Sequence, residues 1–229
     1  MKIVLDAGHG YHTPGKRTPD GMREFEFNSR VTEGARELLM EYENVDVFFT
    51  HSSKRDVPLK ERVNLANRLN ANLFISIHAN AFGDEGWTQA NGIETYIHTS
   101  RPKEAAELAK IVQANLITKT NLKDRGVKVA DFFILKETKM TALLCECGFM
   151  TNIKEAKLLH SIGYQRTCAD AIVQGVVSYF NLKKKLKEIV TLYTVQVGAF
   201  QTKESADAFK KALIAKGYPA FITEKEDER

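Results

Sequence analysis

The sequence has little of what would mark a secreted, membrane-bound or disulfide-rich protein. Its 229 residues include three cysteines, at positions 145, 147 and 168. Such a sparse, odd set cannot form a disulfide framework, so we expect folding in a reducing compartment. The amino terminus, MKIVLDAGHG, lacks the apolar segment of a signal peptide, and no apolar run reaches membrane-spanning length. We therefore expect synthesis in the cytoplasm and no membrane insertion.

A large charge excess is also missing from most of the chain. The residues from 182 onward contain 10 Lys and Arg against 7 Asp and Glu, and the rest contain 23 against 22. A nearly neutral first domain argues against nucleic acid as the ligand. The basic stretch 182–190 is interpreted as a helical extension or linker, with a patch that contacts an anionic polymer as the alternative.

Apolar strand-like runs alternate with helix-like periodicity along residues 1–181. This order predicts an α/β domain with a mostly parallel or mixed twisted sheet and helices on both faces. The predicted strands are 2–6, 45–50, 73–77, 92–98, a pair within 127–135, and 142–145, and the predicted helices are 24–42, 59–69, 103–120 and 163–180. The Cys-x-Cys pair falls in the last apolar run, which favours a buried strand over half of a metal site.

A small strand-helix-strand unit is predicted after the basic linker 182–191. It comprises a strand at 193–197, a helix at 203–216 closed by Gly217, and a strand at 220–223. The unit spans 192–229 and is too small to form a dependable core alone.

Three residues with chemical potential directly follow predicted strands. His9 follows the first strand, His78 follows the strand at 73–77, and Glu146 follows the strand at 142–145. Since ligands of open α/β sheets bind beyond the carboxyl ends of the strands, these side chains should converge. Two imidazoles and one carboxylate typically hold a catalytic zinc ion with one position open. On sequence grounds, Glu24 and Glu26 compete for the role of third ligand.

Glu146 has a different predicted role, as a carboxylate that is not a ligand. An unpaired carboxylate among apolar residues is costly to bury, which favours a functional reason for its presence. It would take a proton from the attacking water and deliver it to the leaving amine. His12, in the polar loop 11–22, is a candidate substrate contact, whereas His51, His98 and His160 are interpreted as surface or loop residues.

Four motifs resemble those of the zinc-dependent N-acetylmuramoyl-L-alanine amidases of the amidase-3 family. They are IVLDAGHG, REFEFN, FISIHAN and LLCECGFMTN, and NGIETY and RGVKVADFFIL match in kind and order. The resemblance covers about residues 1–181. It implies that His9, Glu24 and His78 bind one catalytic zinc ion, because the family's glutamate ligand precedes its asparagine by four residues, as Glu24 precedes Asn28. It also implies a catalytic Glu146 and a substrate contact at Asn80.

The expected function follows from this resemblance. It is hydrolysis of the amide bond between N-acetylmuramic acid and L-alanine in bacterial peptidoglycan. A zinc peptidase that cuts the stem peptide and a non-catalytic wall-binding protein are the alternatives. The loop YHTPGKRTPDG resembles versions in phage lysins, so we expect action on the wall after release, through phage lysis or mother-cell lysis during sporulation.

The tail resembles the first half of a SPOR domain, a module associated with peptidoglycan glycan strands. The chain carries one strand-helix-strand unit, whereas a complete domain repeats it. Val195, Val197, Phe209 and Phe221 would then expose apolar surface. We therefore expect two chains to pair their halves in a homodimer, and the alternative is that the tail is a remnant of the domain.

Overall fold

The computed structural model describes residues 1–13, 15–83, 86–186 and 195–224. The chain divides into two units, Met1–Lys185 and Leu186–Arg229. In the first unit the strands are β1 (Lys2–Ala7), β2 (Asp46–Phe49), β3 (Leu73–Asn80), β4 (Ile93–His98), β5 (Asp124–Ala130) and β6 (Thr141–Phe149). Its helices are α1 (Glu24–Leu39), α2 (Leu59–Arg68), α3 (Lys103–Thr120), α4 (Phe133–Glu137), α5 (Ile153–His160) and α6 (Ile162–Phe180), and α7 (Lys203–Ala215) lies in the second unit.

The six strands form one sheet in the order β2-β1-β3-β6-β4-β5. All neighbouring strands are parallel except β4 and β6, which run antiparallel. The predicted α/β class with a mixed sheet is confirmed. Because β4 reverses direction, the amino-terminal ends of β4 and β5 reach the same edge of the sheet as the carboxyl ends of β1, β3 and β6.

The two faces of the sheet are covered by helices of different size. Alternate strand residues such as Ile3, Leu5 and Ile75 belong to a large core with α1, α3 and α6. Their neighbours Val4 and Phe74 belong to a smaller core with α2 and α4. Successive strand side chains point to opposite faces, so residues that share the parity of Val4 and Phe74 lie on the α2 and α4 side.

Two strands extend further than predicted. His78 and Glu146 were expected to follow their strands, but they lie within β3 and β6. Each apolar run in the sequence ends one residue earlier, at Ile77 and Cys145, which lie in the large core. The polar residues His78 and Glu146 continue the strands, but their side chains point to the opposite face, the one with α2 and α4. Cys145, Cys147 and Cys168 are buried and free, as expected of core residues.

Of the strand pair predicted at 127–135, the first strand is confirmed and the second is wrong. Its first part is β5, but the apolar residues Phe133 to Leu135 begin the short helix α4, which buries Ile134 and Leu135 against α2. A short apolar run does not distinguish a buried strand from a buried helical turn. Helix α5 was missed, although its N-cap Asn152, which accepts hydrogen bonds from the amides of Lys154 and Glu155, is a recognisable start signal.

The linker and the tail differ from prediction in their described parts. Residues 182–186 are not helical; instead Lys183 and Lys185 exchange backbone hydrogen bonds with the turn after α1. Residues 187–194 lie outside the described residues. The helix at 203–216 is confirmed as α7, but residues 195–197 and 220–223 are not in strands. A strand requires a hydrogen-bonded neighbour, and the described part of this unit pairs none of its segments into a sheet.

A buried ion pair joins α2 to the end of β1. The Arg62 guanidinium donates to Asp6 Oδ1 at 2.8 Å and to the carbonyl oxygens of Val57, Ala7 and His9. Burial opposes ionisation of Asp6, but the charge of Arg62 together with side-chain hydrogen bonds from Ser76, Thr50 and Arg62 outweighs it and lowers the pKa of the carboxyl below its usual value. His9 has φ +65°, an unfavourable conformation for a residue with a side chain. Arg62 therefore helps to hold the strained backbone of His9 in place.

We expect Arg62→Leu to lower the free energy of unfolding by about 3–5 kcal/mol, because it leaves the Asp6 carboxylate buried without its cation. Urea denaturation followed by circular dichroism measures this change. Arg55→Leu is the matched control, since Arg55 pairs with Glu61 on the surface and its loss should leave the midpoint nearly unchanged. An Arg62→Leu protein as stable as the parent would contradict this interpretation of the ion pair.

Candidate metal centre and active site

Three of the predicted site residues meet at one edge of the sheet. His9 lies in the loop after β1, Glu24 is the first residue of α1, and His78 lies near the end of β3. Each offers a nitrogen or oxygen atom within 4.8 Å of the others. Glu24 bridges the two imidazoles: its Oε1 lies 2.8 Å from His78 Nδ1, and its Oε2 lies 3.2 Å from His9 Nε2.

The structure also distinguishes Glu24 from Glu26. Glu24 is buried and faces the two histidines, whereas Glu26 is exposed. Asn28, one helical turn after Glu24, donates from Nδ2 to Glu24 Oε1 at 3.3 Å and to the Gly8 carbonyl at 3.1 Å. The spacing of four residues places both side chains on the same helix face. Asn28 therefore fixes the orientation of the carboxylate relative to the β1 loop.

The charges within this triad are strongly coupled. Burial opposes ionisation of Glu24, but hydrogen bonds from His78 and His9 outweigh it and hold the pKa of Glu24 well below its ordinary value. Burial also disfavours the charged form of His78, yet the Glu24 carboxylate raises the pKa of His78 to about 9. Since a metal ligand must be a neutral imidazole, a divalent cation would displace this proton when it binds.

The donor set and the space around it fit a zinc ion. Tetrahedral zinc with ligand bonds of about 2.0–2.2 Å holds its ligand atoms roughly 3.4 Å apart. Each histidine lies 2.8–3.2 Å from one oxygen of Glu24, and one ligand atom from each of the three residues lies within 4.8 Å of the others. The surrounding backbone approaches too closely for further side chains. A Cβ atom on Gly8 would lie 2.1 Å from His78 Cε1, and one on Gly15 would lie 2.4 Å from Glu24 Oε2. Both positions therefore require glycine.

Glu146 lies beside this triad on the same face of the sheet. The register pairs His78 of β3 with Glu146 of β6, and Glu146 in turn with Glu94 of β4. The Oε2 atom of Glu146 is buried and has no hydrogen-bond partner among the described residues. Burial and the charges of Glu24 and Glu94, partly offset by His78, raise the pKa of Glu146 to about 8. The group can therefore both accept and donate a proton near neutral pH.

Glu94 is a buried carboxylate that the sequence reasoning did not single out. Its Oε1 accepts hydrogen bonds from Asn80 Nδ2 at 2.7 Å and Tyr96 Oη at 2.8 Å, and its Oε2 accepts from Arg125 Nε at 2.6 Å and from Lys128 Nζ. The signal was available in NGIETY, because an acid between apolar strand residues is the same pattern that identified Glu146. The predicted substrate contact Asn80 is thus engaged by Glu94.

The remaining histidines lie apart from the triad. His12 is exposed, and its backbone amide donates to Asp56 Oδ1 at 3.0 Å. His51 lies in the loop after β2, which agrees with its interpretation as a surface or loop residue. Its ring is nevertheless partly buried between Phe25 and Phe49, and its Nδ1 is buried without a hydrogen-bond partner among the described residues. Burial lowers the pKa of His51 to about 4, so the ring is neutral at pH 7.

The helices of the described residues include none long and apolar enough to cross a membrane. Most of the chain, residues 3–178, matches the family described as N-acetylmuramoyl-L-alanine amidase (Amidase_3), and residues 190–229 match the SPOR domain.

Curated relatives and solved structures that resemble this chain include N-acetylmuramoyl-L-alanine amidases. The amidase CwlM of Bacillus licheniformis is 34% identical over 97% of this chain and 84% of its own length. The sporulation-specific N-acetylmuramoyl-L-alanine amidase of Bacillus subtilis (strain 168) is 33% identical over 99% of this chain and 86% of its own length. The crystal structure of an N-acetylmuramoyl-L-alanine amidase from Clostridium difficile 630 has a TM-score of 0.75 and 31% identity, covering 79% of this chain and 96% of that one. The chain therefore belongs to the N-acetylmuramoyl-L-alanine amidase family.

Proposed function

We propose that the protein hydrolyses the amide bond between N-acetylmuramic acid and L-alanine in bacterial peptidoglycan, with one catalytic zinc ion held by His9, Glu24 and His78. The observation that carries this proposal is the buried carboxylate oxygen of Glu146, which lies one strand away from His78 and has no hydrogen-bond partner among the described residues. A buried acid without a partner is costly unless the reaction uses it. Family membership supports the same chemistry and the same substrate.

The protein residues divide the reaction between them. When bound, zinc supplies a Lewis acid for the carbonyl oxygen and lowers the pKa of water toward about 7. Glu146 takes the proton of the attacking water and delivers it to the amide nitrogen as the carbon–nitrogen bond breaks. Asn28 and the amide of Ala79 hold the Glu24 carboxylate through hydrogen bonds of 3.3 Å each. Arg62 holds the backbone of His9.

The alternatives predict different products or a different metal site. A peptidase of the stem peptide would leave L-alanine attached to muramic acid, whereas the amidase releases intact peptides. A structural zinc site usually has four protein ligands, and the described residues offer three at this centre. Mass spectrometry of digested sacculi therefore separates the two enzymes, and metal content compared with folding tests the binding-protein alternative.

We expect Glu146→Ala to keep one zinc per chain and to lose activity on sacculi by at least about 100-fold, because no other group transfers the proton. His9→Ala should lose both zinc and activity. Elemental analysis and product masses check these results, and His160→Ala, an exposed position, serves as the control. Normal hydrolysis by Glu146→Ala would refute the assigned role.

For the tail we propose binding to peptidoglycan by two paired copies. The match to the SPOR domain supports the ligand. Support for pairing comes from apolar side chains on the described part of the unit, of which Val195 is 85%, Val197 63% and Phe221 74% exposed. Phe209, at 37%, lies on α7.

Sedimentation equilibrium of the full chain should then show a dimer that Val197→Glu converts to monomer, because a charge in the paired apolar surface is unfavourable. Lys203→Glu, a change at an exposed residue of α7, is the control for added negative charge. Monomer at high concentration for the parent chain would exclude pairing.

We also propose that the enzyme acts on the wall after release, in mother-cell lysis rather than phage lysis. Similarity to a sporulation-specific amidase across 99% of the chain supports this setting. Deletion of the gene in a spore-forming host should leave mother-cell walls undegraded, as seen in muropeptide profiles of late sporulating cultures. Expression of the gene only when a prophage is induced, and not during sporulation, would instead favour phage lysis.

A further inference from the structure

Two cations lie next to the proposed catalytic centre and take no part in the chemistry described above. Arg125 and Lys128 of β5 both donate to Oε2 of the buried Glu94, and their side chains are 29% and 36% exposed. Both positive charges share this carboxylate, and Arg125 also interacts electrostatically with the buried Glu155. We refer to Glu94, Arg125 and Lys128 as the cationic cluster, which carries a net charge of +1 and is partly open to solvent.

The cationic cluster is held in a defined geometry. The Arg125 guanidinium lies 4.9 Å from the centre of the Phe149 ring, and its Nη1 donates to the Asn91 carbonyl at 3.4 Å. A cation stacked on an aromatic ring and fixed by a carboxylate loses little further entropy when it binds an anion. The Lys128 ammonium has three donors, of which Glu94 takes one.

The position of the cluster relative to the metal ligands is set by strand order. His78 on β3, Glu146 on β6 and Glu94 on β4 occupy paired register positions on three adjacent strands. Adjacent strands are about 4.8 Å apart, so Glu94 lies roughly 10 Å from His78, with Glu146 between them. The cationic cluster is therefore on the far side of Glu146 from the triad.

This order fixes the direction of the substrate, on the basis of the proposed function. The carbonyl of the scissile amide belongs at the triad, and its nitrogen must contact Glu146 to receive the proton. The peptide attached to that nitrogen then continues toward β4 and β5. An extended chain advances about 3.3–3.6 Å per residue, so a group on the second stem residue lies roughly 7 Å beyond the amide. Measured from Glu146 on β6, β4 is roughly 5 Å and β5 roughly 10 Å away, so this group falls between the strand of Glu94 and the strand of the two cations.

The second residue of peptidoglycan stem peptides carries either a free carboxylate, as D-glutamate, or its amide, as D-isoglutamine. We propose that Arg125 and Lys128 form a subsite for this free carboxylate, so that the enzyme prefers stems with D-glutamate over amidated stems. The inference names a substrate class for the proposed reaction and adds no chemical step to it. Charge-assisted hydrogen bonds to a carboxylate are stronger than those to a neutral amide, which gives the preference its physical basis.

The test uses the zinc-loaded full chain and two synthetic substrates, N-acetylmuramoyl-L-Ala-γ-D-Glu-L-Lys and N-acetylmuramoyl-L-Ala-D-isoGln-L-Lys, which differ only in whether the α-carboxyl of the second stem residue is free or amidated. We expect kcat/KM to favour the carboxylate by about tenfold at low salt. Calorimetric titration of the inactive Glu146→Gln variant should show the same order of affinities without turnover. Lys128→Gln should remove most of the preference while hydrolysis of the amidated substrate persists, and Lys128→Arg should retain it.

Lys110→Gln is the matched control, because Lys110 is exposed on α3, on the opposite face of the sheet. Equal kcat/KM and equal affinity for the two substrates, with amidase activity intact, would overturn the subsite. A preference that survives in a folded Lys128→Gln and Arg125→Gln double variant would overturn it as well. If the zinc-loaded parent chain hydrolysed neither substrate, the proposed function would be overturned instead. The affinities of the two substrates for Glu146→Gln, measured by calorimetry, would still show whether the subsite prefers the carboxylate.

Discussion

Four carboxylates gather at one edge of a single sheet, and the structure depends on how each negative charge is compensated. Asp6 has Arg62, Glu24 has two imidazoles, and Glu94 has Arg125 and Lys128. Glu146 has no hydrogen-bond partner for its buried Oε2 among the described residues. Since an uncompensated buried charge is unfavourable for a carboxylate, the neutral form of Glu146 is favoured until a positive charge beside it stabilises the ionised form, which is the form that can accept a proton.

The sheet that gathers these groups was predictable, because alternation of apolar strands and amphipathic helices has few physical solutions. The approach of His9 and His78 followed from the rule that parallel strands end at one edge. Glu24 could not be separated from Glu26 by pattern alone, since both are acids in the first helical turn. Burial decides between them: helix α1 turns Glu24 toward β3 and Glu26 toward solvent.

The lengths of β3 and β6, the partners of Glu94 and the structure of the tail could not be predicted from the sequence pattern. His78 and Glu146 interrupt apolar runs, so their strands looked shorter than they are; only the pairing of β3 with β6 shows that the alternation continues through them. The partners of Glu94 could not be predicted, because Arg125 and Lys128 lie 31 and 34 residues away in sequence and only the pairing of β4 with β5 brings them together. The tail segments predicted as strands alternate apolar and polar residues, as strands do. A strand also needs a hydrogen-bonded neighbour, and the described residues of the tail provide none.

The reversed direction of β4 has a consequence for how such an enzyme can change. The residues that would hold the metal come from β1, α1 and β3, whereas the cationic cluster comes from β4 and β5, and only β6 lies between them. In the proposed assignments, bond cleavage and substrate choice therefore depend on separate halves of the sheet, which come from separate stretches of the chain. The two halves are linked through Glu94, whose charge adds to burial in raising the pKa of Glu146, so a substitution among the cations of β5 that alters substrate preference also alters the proton affinity of the neighbouring carboxyl group.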